Sequence, residues 1–193
     1  LVLHRPDALV EPVEVAAAFD ELEKSGKVRH FGVSNQKPMQ IELLKRYVKQ
    51  PIEINQLQLS IPCSNMITNG MEVNMASEGA VDRDGSVLDY CRLNDITIQA
   101  WSPFQYGFFE CVFIGYEEKY PNLIAVLNEL ADKYNVSPSG IATAWILRHP
   151  AGIQMIAGST SRKHMQEIID GSHVTLTREE WYRLYLAADH MLP

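Results

Sequence analysis

The chain has 193 residues, a formal net charge of −7 and 46% hydrophobic residues. That length is one domain or a large piece of one, and the apolar fraction is ordinary for a globular core. The acidic balance argues against a general nucleic-acid binder, which needs a basic face, and no apolar stretch approaches the roughly 20 residues that span a bilayer.

Leu1-Val2-Leu3 reads as a buried strand from the first residue, and residue 1 is not Met. We therefore expect sequence upstream of it. A helix is predicted over Pro12 to Ser25. Pro12 suits the first helical position, Val15, Phe19 and Leu22 recur at helical spacing, and Gly26 fits the stop. A strand over Val28 to Val33 follows. A second helix runs from about Pro38 to Val48, with Ile41, Leu44 and Val48 on one face. The strand at Ile52 to Ile54 leads into a long segment, Ser60 to Asp84, predicted irregular from its turn formers Asn69-Gly70, Gly79 and Asp84-Gly85.

A short helix, Ser86 to Leu93, precedes a strand over Ile96 to Trp101. The connection from Pro103 to Pro121 is aromatic, with Phe104, Tyr106, Phe108, Phe109, Phe113, Tyr116 and Tyr120. Helices are expected at Asn122 to Tyr134 and at Pro138 to His149, the second capped by Ser137. After a strand at Ile153 to Ala157, Ser161 caps a helix ending near Gly171. The last helix opens with a capping box, Thr177 and Glu180, and directs Trp181, Leu184 and Leu186 toward the core.

Five apolar runs thus alternate with helices, and each run ends in a polar cluster. A parallel return needs a crossover, so the sheet is parallel, and ligands of such sheets sit at the carboxyl ends of the strands. Five units are too few to close an eight-stranded barrel. Either three units lie upstream or the sheet is open. No G-x-G-x-x-G stands at the first turn, which weakens the open, doubly wound alternative. Cys63, Cys91 and Cys111 lack metal-ligand spacing. They read as reduced thiols acting as small apolar side chains in a cytoplasmic protein, and no signal peptide is visible.

Leu3-His4-Arg5-Pro6-Asp7 followed by Gly32-Val33-Ser34-Asn35 resembles the aldo-keto reductases. Further matches lie at Asn55-Gln56, Ala100-Trp101-Ser102-Pro103, Ala144 to Pro150 and Gly158-Ser159. The tail from Leu176 to Tyr182 is similar to the bacterial predicted-oxidoreductase subgroup. The resemblance covers nearly all of residues 1–193. It implies the carboxyl-terminal part of a single (β/α)8 TIM barrel domain, with this chain supplying about strands four to eight.

The resemblance also implies reduction of an aldehyde or ketone by a nicotinamide cofactor. Of the family's catalytic Asp, Tyr, Lys and His, only the His is matched, at His4; the other three would lie upstream, so the fragment alone would be inactive. Ser34, Asn35 and Gln56 match the positions that hold the nicotinamide carboxamide, and hydroxyl and amide groups offer the donors and acceptors a primary amide needs. Trp101 matches the ring stacked on the nicotinamide. Ser102 and Gly107 match the loop over the pyrophosphate, although Phe104-Gln105-Tyr106 is not the glycine-rich segment of related sequences. Gly158 and Ser159 match the adenosine-phosphate end. Arg162, Lys163 and His164 would receive the 2′-phosphate of NADP at a helix start, with NAD the other possibility. No metal and no nucleic-acid partner is expected. A non-catalytic nucleotide-binding barrel acting as a regulatory subunit stays open as an alternative.

Overall fold

The computed structural model describes residues 1–107 and 110–192. Phe108 and Phe109, two aromatics of the second long loop, lie outside the described residues. Five parallel strands form one sheet in the order β1 (Val2–Leu3), β2 (Phe31–Ser34), β3 (Ile52–Gln58), β4 (Thr97–Trp101) and β5 (Gln154–Met155). The intervening helices are α1 (Pro12–Lys24), α2 (Pro38–Lys45), α3 (Asn65–Met71), α4 (Val87–Leu93), α5 (Pro121–Tyr134), α6 (Pro138–Leu147), α7 (Arg162–Ser172) and α8 (Arg178–Ala187). Among the described residues, no helix is long and apolar enough to cross a membrane.

The alternation of a strand decides which side chains meet. Val33, Leu57, Ile98 and Ala100 face one way and join Phe19, Ile41, Leu44, Leu88 and Ile141 of the helices in the core. Ser34, Gln56, Gln58, Gln99 and Trp101 face the other way. One face of the sheet is therefore apolar and covered, and the other carries hydrogen-bonding groups.

Local signals set the helix ends. Pro12 opens α1, and Gly26 beyond its end has φ +70°. Ser137 accepts from Gly140 N–H at 3.1 Å and Ser161 from His164 N–H at 3.4 Å. Thr177 and Glu180 form the expected reciprocal box.

Several expectations need correction. Pairing begins at Phe31, not Val28, and β5 holds only Gln154–Met155. α2 ends at Lys45, although Val48 is still buried just beyond it. Asn55 and Gln56 lie inside β3, because pairing with β4 continues to Gln58 opposite Trp101. The segment from Ser60 to Asp84 contains α3 and a 3₁₀ turn, Glu78–Ala80. It packs through Met66 and Ile67, and Thr68 Oγ1 lies 2.8 Å from the Tyr185 hydroxyl. Leu186 is exposed, and Tyr185 takes the core position beside it. Cys91 is buried as a small apolar residue, but Cys111 is exposed.

Two contacts fix the carboxyl-terminal helices. Gly140 and Gly171 let α6 and α7 touch backbone to backbone: a Cβ on Gly171 would stand 2.3 Å from the Gly140 carbonyl oxygen. Trp145 and Trp181 stack at 4.7 Å and 7°, and each indole N–H donates to the other residue's carbonyl, at 3.1 and 2.9 Å. Beside them the Glu180 carboxylate is buried. Burial pushes its carboxyl up, but Lys133 Nζ at 2.5 Å, Thr177 N–H at 2.8 Å and the Tyr134 hydroxyl at 2.7 Å outweigh that and hold it at about 2.

Gly171→Ala should lower stability in urea unfolding by roughly 1–3 kcal/mol, because the added methyl forces the two helices apart. Gly70→Ala, where a Cβ meets nothing within 4 Å, should be neutral or stabilising by up to about 1 kcal/mol. Glu180 is held below its ordinary value of 4.5, so its ionised form stabilises the fold above that pH. The wild type should exceed Glu180→Gln by roughly 1–3 kcal/mol at pH 7. The gap should close as pH falls from 4.5 toward 2, measured by denaturant titration across that window.

Candidate active site

The site is built where β2, β3 and β4 end. Asn35 follows the last residue of β2 with φ +54°, a left-handed turn that Asn tolerates better than most residues. The turn aims the Asn35 N–H at the Gln56 carbonyl, 2.9 Å away. The same carbonyl accepts from Ser34 Oγ at 3.2 Å, and Ser34 Oγ accepts from Asn35 Nδ2 at 2.8 Å. Asn35 Oδ1 accepts from the Trp101 indole N–H at 3.3 Å. Ser34, Asn35, Gln56 and Trp101 are thus one hydrogen-bonded group spanning three strands.

The group has neighbours that the motifs did not flag. The Arg5 guanidinium lies 5.5 Å from the centre of a Trp101 ring, within cation–π range. Gln56 Nε2 donates to Gln99 Oε1 at 2.9 Å, and Gln99 Nε2 donates to Gln154 Oε1 at 3.1 Å. Gln58 stands opposite Trp101, and its Nε2 is buried with no partner among the described residues. A sequence signal for these residues existed: Gln56, Gln58 and Gln99 interrupt apolar runs at every second position, the period of one strand face.

Asn55, adjacent to Gln56 in the chain, points to the opposite face. It is fully buried, and its Nδ2 donates to the Gln36 carbonyl at 3.0 Å. Burial pushes the nearby Cys91 thiol up to about 11, so this cysteine is a poor nucleophile.

Ser102 leaves β4 with φ +50° and starts the aromatic loop. Gln105 and Val112 pair antiparallel, and Ser60 Oγ donates to the Gln105 carbonyl at 2.5 Å. The loop is thereby tied to the segment after β3. Lys119 Nζ lies 3.8 Å from the Tyr106 ring centre. A Cβ on Gly107 would meet Glu110 Cγ at 2.8 Å, so a larger residue there would displace that exposed side chain. Burial and Glu110 push the Tyr106 hydroxyl up, which makes it a weaker proton donor.

His4 is exposed one residue beyond β1. It lines a cleft of about 810 Å³ with Arg5, Gln36, Gln40 and Leu43. Arg5 joins the two regions, lining that cleft and reaching Trp101. Gly158 and Ser159 follow β5, and Ser159 Oγ accepts from Ser161 N–H at 3.1 Å. Arg162, Lys163 and His164 are exposed in the first turn of α7, where Lys163 Nζ lies 3.9 Å from Glu167. A further cleft of about 350 Å³ lies among α3, α4, α6 and α8 and contains none of the site residues named from sequence.

A parallel α/β sheet with a polar cluster at its carboxyl edge defines the class. Residues 1–187 match the Aldo/keto reductase family. The 6-dehydroglucose reductase of Agrobacterium fabrum is 31% identical over 188 residues, covering 97% of this chain and 56% of that protein. The Uncharacterized oxidoreductase YcsN of Bacillus subtilis is 33% identical over 189 residues, again covering 97% and 56%. The structure of the thermostable aldo-keto reductase Tm1743, solved with the inhibitor epalrestat, aligns with a TM-score of 0.71 at 22% identity, covering 96% of this chain and 58% of that one. At that identity the likeness is one of fold. The chain belongs to the aldo/keto reductase family and spans little more than half the length of these relatives.

Asn35→Gly should keep fold stability within about 1 kcal/mol, since glycine accepts the left-handed turn. Asn35→Val should cost roughly 1–3 kcal/mol from backbone strain. Urea midpoints of the two variants would check the contrast.

Proposed function

We propose that this chain is the carboxyl-terminal part of an NADPH-dependent carbonyl reductase, supplying strands four to eight of a (β/α)8 barrel. The observation that carries the reading is the hydrogen-bonded group of Ser34, Asn35, Gln56 and Trp101 at the carboxyl edge of the sheet. A nicotinamide carboxamide needs one acceptor and one donor partner, and this edge offers hydroxyl and amide groups of both kinds. The orphaned Gln58 Nε2 beside Trp101 is a further donor suited to a ligand oxygen. The residues therefore fit the group.

When bound, the dinucleotide would supply the hydride for reduction of an aldehyde or ketone. Ser34, Asn35 and Gln56 would hold its carboxamide, and Trp101, steadied by Asn35 and Arg5, would support one ring face. Ser102 and Gly107 would border the pyrophosphate. Gly158, Ser159 and the first turn of α7 would take the adenosine end, with Arg162, Lys163 and His164 as the cationic groups that favour NADPH over NADH. His4, at the end of β1, would orient the substrate carbonyl. The Asp, Tyr and Lys that complete the family's proton-transfer set are assigned to residues before Leu1, so the chain alone is expected to be inactive. The aromatic composition of the loop from Pro103 to Pro121 favours an apolar carbonyl compound as substrate, and the unpaired thiols favour a cytoplasmic setting.

NADPH fluorescence should be enhanced on mixing with the full gene product; the absence of any binding would refute the reading. In that protein His4→Ala should lower carbonyl turnover by about 10²–10⁴-fold, as for a lost acid–base or orienting group, while NADPH affinity changes less than about threefold. Steady-state kinetics alongside a binding titration would separate the two effects.

A further inference from the structure

The row of amides on the polar face of the sheet has a direction. Gln56, Gln99 and Gln154 stand side by side on β3, β4 and β5, in register. Gln56 Nε2 donates to Gln99 Oε1, and Gln99 Nε2 donates to Gln154 Oε1. Each amide is oriented by the next, with every N–H pointing from β3 toward β5. An isolated glutamine can present either end of its amide and loses considerable rotamer freedom when it is fixed. Here the row fixes it in advance. The nitrogen of Gln56 turns toward Gln99, and its Oε1 accepts no hydrogen bond among the described residues.

We infer that Gln99 is a positioning residue that acts through Gln56, setting the Gln56 amide so that its oxygen is presented to the amide N–H₂ of the cofactor carboxamide. Gln154 anchors the far end of the row. The inference rests on the cofactor seat proposed above and adds to it a residue that touches no part of the cofactor. Replacing Gln99 by Leu removes both of its hydrogen bonds and lets the Gln56 amide turn, while leaving an apolar side chain of similar size on the strand.

The test uses the full gene product and four proteins: wild type, Gln56→Ala, Gln99→Leu and the double variant. Dissociation constants would be measured for the dinucleotide that binds. They would also be measured for its nicotinamide-free fragment, adenosine 2′,5′-bisphosphate for NADPH or ADP-ribose for NADH. Gln99→Leu should weaken the dinucleotide by about three- to tenfold, the scale of one hydrogen bond, and leave the fragment unchanged. In the Gln56→Ala background it should have no further effect, because its action passes through Gln56. Three results would overturn the inference while leaving the cofactor seat standing: an unchanged affinity in Gln99→Leu alone, an equal loss for the fragment, or independent multiplication of the two effects. If Gln56→Ala leaves dinucleotide affinity intact, or neither dinucleotide binds, the seat itself falls and the inference falls with it.

Discussion

Everything at the site depends on the parallel pairing of β3 with its two neighbours. Backbone hydrogen bonds place Ser34 beside Gln56 and Gln56 beside Gln99, and the alternation of the strand sends all three to the same side. The intervening residues, Val33, Leu57 and Ile98, go to the other side and are buried there. A slip of one residue would exchange these sets, placing amides under the helices and aliphatic side chains at the edge. The burial that stabilises the sheet thus also chooses which polar groups share a face.

The division of labour between the two faces extends to the helices. α6 packs on α7 through two glycines and on α8 through two indoles, and α8 is locked to α5 by Glu180, Lys133 and Tyr134. These contacts lie away from the polar edge and leave it no packing duty. Asn35 and Ser102 hold left-handed turns where β2 and β4 end. Strain of that kind is tolerated where rigid strands on the other side of the turn determine the chain path.

Much of this architecture was legible in the sequence. The helix caps at Ser137, Ser161 and Thr177 are local chemistry, so local reading found them. The group of Ser34, Asn35, Gln56 and Trp101 was legible through motifs. Its internal hydrogen bonds were not, because they join residues as much as 66 positions apart. α3 was missed because Asn69-Gly70 has the composition of a turn, and only its packing makes the segment helical. Leu186 was misplaced because three apolar candidates crowd one helical turn, and spacing alone does not rank Tyr185 above it. The strand period puts Gln99 on the face of Gln56, but the hydrogen bonds that join Gln56, Gln99 and Gln154 run across strands and have no counterpart along the sequence.

The three tryptophans of the chain fall into two optical environments. Trp145 and Trp181 are a buried, stacked pair whose mutual hydrogen bonds hold α6 to α8. Trp101 lies at the sheet edge, beside a guanidinium and an amide oxygen. Intrinsic emission therefore carries separable signals. The pair registers whether the last helix is docked, and Trp101 registers what arrives at the edge, without any label being attached.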